Sequence, residues 1–380
     1  MISQAMLQEF DLDPGLIHLN HAAMAPWPLR SVQAINAFAR ENAARAGRHY
    51  SRWLETEQRL RSNLALLINA PTSDDIALVP STSSALSLVA YGLAWKRGDN
   101  VVISDEEFPS NKVVWESLEK YGVSVRYANL WQHEIPEQGM LDLINNRTRV
   151  VAVSSVQYKT GIRLDLGYIG GHCRQKGVLF CVDGIQSLGA VSCDVQRQNI
   201  DFIMADGHKW LLGPEGLALF YCRPELRGQL DLKQYGWHML DDFLNFDQTT
   251  WQAAASAQRF EPGSPNMLAI HALDASISLL LEAGIPQVER EILAKNRYLM
   301  DLLREIGDYD FITPEADQRR AGILVVKHRT GDNNALYRYL QENNVYCALR
   351  GGNIRFSPHF YTANEKLDAL AALLKRFNMS

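Results

Sequence analysis

Two stretches decide the fold: Val178-Leu179-Phe180-Cys181-Val182-Asp183, and further on Phe202-Ile203-Met204-Ala205-Asp206-Gly207-His208-Lys209. Each is a short, unbroken apolar run that ends on an aspartate. A strand with one wet face alternates apolar and polar residues; a strand apolar throughout is buried on both faces, as in a parallel sheet covered by helices. Working outward, similar runs occur at 76–79, 101–104, 123–128, 150–154 and 217–221. Segments with helical spacing, such as 85–95, 112–121 and 168–176, separate several of them. The pattern predicts an α/β fold with a mainly parallel seven-stranded sheet sandwiched by helices. Ligands bind such sheets outside the carboxyl ends of the strands. The residues just after each run therefore matter most: Ser81-Thr82-Ser83, Glu106-Glu107-Phe108, Gln157-Tyr158, Asp183 and Asp206-Gly207-His208-Lys209.

The flanks complete the plan. Ala, Arg and Leu at helical spacing from 28 to about 67 predict two helices interrupted near Gly47. An irregular link, Arg259-Phe260-Glu261-Pro262-Gly263-Ser264-Pro265, precedes a long helical region over 267–306. Strands are expected at 322–327, 345–349 and 354–356, with a last amphipathic helix over 364–377. We read an N-terminal segment (1–27), a large domain (28–257) and a smaller α+β C-terminal domain (258–380).

Composition narrows the class. The 380 residues carry a net charge of -5 and 47% hydrophobic residues, enough chain for a large core. Charges of both signs are interspersed with no Lys/Arg-rich block, which argues against nucleic acid or an anionic membrane as partner. No apolar run approaches membrane-spanning length, and the acidic N-terminus lacks the pattern of a signal peptide. Five scattered cysteines without C-x-x-C spacing argue against a disulfide framework or a zinc site. No metal and a cytoplasmic location are the expectations.

Asp183 would emerge at the ligand edge, with Gln186 on the same side of a first helical turn. Together an acid and an amide suit a planar heteroaromatic; a turn cap is the other reading of Asp183. Lys209 follows an apolar strand between His208 and Trp210, and burial beside aromatic groups lowers a lysine's pKa, as a Schiff-base amine requires. Thr82 and Ser83 open a helix and suit a phosphate seat, or simply cap it. Phe108 suits stacking on a ring or packing in the core. Arg350 and Arg355 flank Gly351-Gly352; one could hold a carboxylate, a structural ion pair being the alternative. His21 lines a site or caps a turn.

Taken in this order, the residues resemble the class V aminotransferase family of fold-type I enzymes dependent on pyridoxal 5'-phosphate (PLP). That family includes cysteine desulfurases, isopenicillin N epimerase-like proteins and kynureninases. The most specific pieces are Val182-Asp-Gly-Ile-Gln-Ser-Leu-Gly189, Asp206-Gly-His-Lys-Trp210, Arg259-Phe-Glu-Pro-Gly-Ser-Pro265 and Ile354-Arg-Phe-Ser-Pro-His-Phe-Tyr361. The resemblance implies that Lys209 is the catalytic Schiff-base lysine and that Asp183 holds the pyridine nitrogen protonated. It implies that Gln186 contacts the ring oxygen, and that Thr82, Ser83 and His208 bind the phosphate. Desulfurases commonly carry a serine where this chain has Asp206; a carboxylate would repel a phosphate dianion, so Asp206 is expected to orient His208 instead. It puts Phe108 where relatives stack an aromatic residue on the ring. Ser264 would reach the phosphate in a neighbouring subunit, hence a homodimer with shared sites. Arg355, supported by Arg350, would clasp the carboxylate of a small amino-acid substrate, with His21 nearby.

The leading expectation is an aminotransferase of class V. A carbon–sulfur lyase of the cysteine or selenocysteine lyase kind, or an amino-acid epimerase, is the alternative. A non-catalytic member would have lost the lysine or the aspartate, and both are present. Desulfurases of the family carry a nucleophilic cysteine on a long loop between the two arginines. Here only Gly351-Gly-Asn-Ile354 separates them, and Cys347 lies in an expected strand, so a persulfide-forming desulfurase is disfavoured. Gln157-Tyr158 stands where relatives carry an asparagine, leaving open how the ring oxygen is held.

Overall fold

In the computed structural model, which describes residues 2–378, the predicted runs form one sheet. A two-residue strand, β1 (Ile17–His18), comes first in the chain. The seven sheet strands follow: β2 (Ile76–Val79), β3 (Asn100–Ser104), β4 (Ser124–Ala128), β5 (Thr148–Ser154), β6 (Leu179–Asp183), β7 (Phe202–Asp206) and β8 (Ala218–Cys222). Their spatial order is β2-β8-β7-β6-β5-β3-β4, and β8 alone runs against its two neighbours. The unbroken apolar character has the expected cause. Val151 and Val153 join the core under one face, while Val150 and Ala152 join the core under the other. With both faces covered, neither set of side chains meets water.

Helix Tyr50–Ile68 covers one face and Thr82–Gly92 the other, while Leu29–Arg45 packs chiefly on the helix Met267–Ala283. The region 267–306 is two helices, Met267–Ala283 and Ile285–Ile306, bent by 82° at Gly284. Gly284 has φ +78, a left-handed conformation that glycine adopts without a Cβ penalty. Met267–Ala283 packs across Leu29–Arg45 and Tyr50–Ile68 and contributes Ile270, Leu273 and Ile277 to their core. That packing puts residues 267–283 with the large sheet, whereas the sequence boundary at 258 assigned them to the second unit. Among the described residues no single helix is long and apolar enough to cross a membrane.

The C-terminal sheet has the order β12-β13-β10-β9: β9 (Tyr309–Phe311), β10 (Leu324–His328), β12 (Ala348–Arg350) and β13 (Asn353–Phe356), all antiparallel. The run expected as one strand over 345–349 is broken at Cys347. Its first half, β11 (Val345–Tyr346), pairs in parallel with β1, and its second half pairs with β13. One strand cannot serve two partners lying in different directions, so the chain turns between them. The N-terminal segment is thereby tied to the C-terminal part of the molecule.

Candidate active site

Strands β2, β3, β5, β6 and β7 run parallel and release their following loops at one edge of the sheet. These loops, together with the β12–β13 hairpin, enclose a cavity of about 300 Å³. Of the sequence-predicted residues, Thr82, Ser83, Phe108, Asp183, Gln186, Asp206, His208, Lys209, Arg350 and Arg355 all line it.

Lys209 is 9% exposed, and its Nζ lies 5.6 Å from the centroid of the Phe108 ring. Burial pushes its pKa down to about 8, with Arg355 adding to the effect and Asp183 opposing it. Asp183, at the end of β6, is buried, and loss of solvent raises its pKa to about 6. The backbone N–H of Ile185 donates to Asp183 Oδ1 at 3.1 Å, and the Lys209 charge favours the ionised form. The end of β6 and the loop after the neighbouring β7 thus bring two groups into one desolvated space with opposite charges and pKa values drawn toward neutrality.

Gln186 donates from Nε2 to the Ala22 carbonyl at 2.9 Å and accepts from Trp210 Nε1 at 3.0 Å. The turn that brings Gln186 to Trp210 closes at Gly189, φ +93, where a Cβ would stand 2.2 Å from the Trp210 carbonyl oxygen. An amide nitrogen has two hydrogens, so one N–H of Gln186 remains for another acceptor.

Thr82 and Ser83 open the helix Thr82–Gly92, whose first-turn N–H groups have no partner within the helix. The Ser81 side chain caps it by accepting from Ser84 N. Thr82 Oγ1 accepts from Asp206 N at 3.0 Å, tying the β2 loop to the β7 loop. His208 Nδ1 lies 2.9 Å from Asp206 Oδ1. The contact is close but too poorly aligned for a hydrogen bond.

Arg355, on β13, is 2% exposed. Its Nη1 donates to the Tyr158 carbonyl at 3.0 Å, and its Nε is buried without a partner. Burial pulls its pKa down to about 9, helped by the nearby Arg350 charge. A buried guanidinium with an unused donor is costly unless an anion completes it. Arg350 is exposed; it ends β12 and is joined to β13 through Gly351 and Gly352, both at positive φ (+56 and +77). A two-residue hairpin of this kind needs residues tolerant of positive φ.

Two expected site residues lie elsewhere. His21 is absent from the cavity lining; its Nδ1 donates to the Ser357 carbonyl at 2.8 Å, and its Nε2 accepts from the Tyr361 hydroxyl at 2.6 Å. Burial holds its pKa well below the usual histidine value. Both ring nitrogens are occupied, so His21 fastens the backbone behind Ala22 and Ala23, which do line the cavity. Ser264 lines a separate groove of about 1210 Å³ on the same chain, and Ser83 borders both spaces.

Tyr158, among the post-strand residues named above but given no role there, lines the cavity and meets Phe108 edge to face, 5.2 Å between centroids at 88°. Its place directly after Gln157 in a post-strand loop was the available signal. Gln157 itself turns away into the core and donates to Glu107 Oε1 at 2.8 Å. No cysteine lines the cavity. Cys347 is buried, and desolvation pushes its thiol up to about 12.

The donor set suits a phosphorylated pyridine aldehyde. It offers a desolvated amine, a carboxylate and a spare amide N–H for the ring, and a helix N-terminus with two hydroxyls for a phosphate.

Comparison with known proteins agrees with this geometry. The family model described as aminotransferase class-V matches residues 17–370. A probable cysteine desulfurase of Methanothermobacter thermautotrophicus is 28% identical, over 94% of each chain. The uncharacterized aminotransferase YcbU of Bacillus subtilis is 30% identical over 84% of each chain. The apo structure of a cysteine desulfurase from Thermococcus onnurineus superposes with a TM-score of 0.88 at 21% identity, covering 99% of this chain and 98% of the other. With the family model covering nearly all of its length, the chain belongs to the aminotransferase class-V family of enzymes, whose cofactor is pyridoxal 5'-phosphate.

Proposed function

We propose that this enzyme acts on a small amino acid by carbon–sulfur lyase chemistry that uses no cysteine nucleophile of its own. One observation carries the reading: Arg355, whose buried Nε has no partner, lines the same cavity as Lys209 and Asp183, and no cysteine lines that cavity. The cysteine desulfurase relative supports sulfur chemistry, while the high thiol pKa of Cys347 speaks against a persulfide on this chain.

Bound here, the cofactor supplies an electron sink for a bond loosened at the substrate's α-carbon. Asp183 would hold a proton at the ring nitrogen, and the spare N–H of Gln186 would donate to the ring oxygen. Thr82, Ser83 and His208 would bind the phosphate, with the Asp206 carboxylate orienting the His208 ring. Phe108 would cover one face of the ring and exclude water from it. Arg355, supported by Arg350, would pair with the substrate carboxylate and fix which bond stands ready to break. Lys209 Nζ, with its proton affinity lowered by burial, would take the α-proton and return one to the product.

A second reading, transamination, uses the same residues and is supported by the aminotransferase name of the Bacillus relative. The proposal includes a homodimer in which Ser264 serves the neighbouring site; Ser264 does not line its own chain's cavity, which is consistent with such sharing. Five unpaired cysteines support a reducing compartment such as the cytoplasm.

The test is to add a panel of amino acids to the purified enzyme and follow both the cofactor band and the products. Release of sulfide with pyruvate is expected. Cofactor cycling that depends on a keto acid would favour transamination, and loss of optical activity would favour epimerisation. Borohydride should fix the cofactor to the wild-type chain but not to Lys209→Ala; fixation to that variant would remove Lys209 from its role.

A further inference from the structure

Behind the aromatic wall of the cavity lies a buried carboxylate that none of these roles uses. Glu107 sits in the loop after β3, is 5% exposed and does not line the cavity. Four hydrogen bonds converge on it. Oε1 accepts from Ser154 N at 2.9 Å and from Gln157 Nε2 at 2.8 Å. Oε2 accepts from Ser154 Oγ at 2.5 Å and from Asn111 Nδ2 at 2.9 Å. Asn111 is held in turn by Trp115 Nε1, 2.9 Å from its Oδ1. Three of these partners are N–H groups that can only donate, and the Ser154 hydroxyl is able to donate as the fourth, so the set suits a carboxylate with all its lone pairs free. The Cys181 thiol on β6 also lies close enough to feel its charge. Burial raises the Glu107 pKa to about 7 against the pull of these bonds.

What the carboxylate ties together gives it a purpose. Glu107 precedes Phe108 in the chain, and its partner Gln157 precedes Tyr158. The two rings meet edge to face beside Lys209. Phe108 is 42% exposed, so packing around its ring does little to fix it, and its backbone must be held from behind. We propose that Glu107 is a positioning residue whose carboxylate locks the loops after β3 and β5 together, so that Phe108 and Tyr158 stand as one wall over the cofactor. This rests on the cofactor reading given above. A glutamine at 107 keeps the shape but turns an N–H toward one of the donors, and the two loops lose their common anchor.

The test uses the full-length wild type, Glu107→Gln and Gln157→Leu. Three quantities are measured: unfolding in urea, affinity of the cofactor-free protein for PLP by absorbance titration, and visible circular dichroism of the bound cofactor. Glu107→Gln should bind PLP roughly tenfold more weakly with reduced visible dichroism. Gln157→Leu should shift both in the same direction by less. The gap between wild type and Glu107→Gln should narrow below about pH 7, where the wild-type acid takes up a proton. Variants that unfold more easily yet keep wild-type affinity and dichroism would reduce Glu107 to a core strut and overturn the proposal. Should Glu107→Gln not fold, Gln157→Leu decides it on the same two readouts. Failure of the wild type to bind PLP would instead sink the cofactor reading, and this proposal with it.

Discussion

Lys209 and Asp183 show how much of this chemistry rests on desolvation rather than pairing. Burial is the largest influence on both, and it moves each toward its neutral form. For the lysine the sign follows from its two states. The unfolded amine titrates at 10.5 and the folded one at about 8, so between these values the unfolded chain binds a proton that the folded chain lacks. In the cofactor-free protein this group's contribution to stability therefore rises with pH across that window, and burying the charged amine is costly below it. The neutral amine also captures the cofactor. Stopped-flow absorbance should show PLP capture by the cofactor-free protein accelerating with pH and levelling off above about 8. A rate still climbing in proportion to hydroxide well past pH 8, toward 10.5, would mean that Lys209 is not desolvated in solution. Both residues were legible in the sequence because each directly follows an apolar strand. His21 was not: its partners, Ser357 and Tyr361, lie near the other end of the chain, and only their arrival turns it away from the cavity.

At the scale of elements, the helix Tyr50–Ile68 is joined to β2 and to the link before Ser264 by a buried ionic cluster. Arg61 donates from Nη2 to Glu261 Oε2 at 2.8 Å, bonds Glu57 as well, and reaches the Ile76 carbonyl from Nη1 at 2.9 Å. Glu261 also accepts from Leu78 N at 2.8 Å. Arg61→Met keeps the bulk but leaves two buried carboxylates without their main counter-charge. It should destabilise the protein by about 3–5 kcal/mol, read from urea unfolding. A loss below about 1 kcal/mol would mean that the cluster is solvated. Element type was readable from periodicity almost throughout, because strands buried on both faces and amphipathic helices carry distinct patterns. Where elements end was less so. The break of 345–349 at Cys347 has no local signal; it exists because β1 and β13 compete for opposite halves of the run.

For the whole molecule, the proposed sharing of sites makes a prediction that single-chain arguments cannot. Ser264→Asp would set a carboxylate against the neighbour's phosphate, and Lys209→Ala removes the amine from its own site. If sites are shared, refolding the two variants together creates mixed dimers with one intact site, so activity should reappear in the mixture although each variant alone is weak. Light scattering should show dimers throughout. Absence of any recovery from confirmed mixed dimers would assign Ser264 to its own subunit. Consecutive residues alone specify the sheet, the edge where the cavity opens and most of the residues that line it. Strand burial and the residue after each strand are local properties, written in consecutive positions. It takes the packing of distant segments to bury Arg355 with a donor to spare, to set Tyr158 against Phe108, and to join their loops from behind through Glu107. Those facts depend on which distant segments meet, and the energy of a buried polar group is set by the partners that reach it.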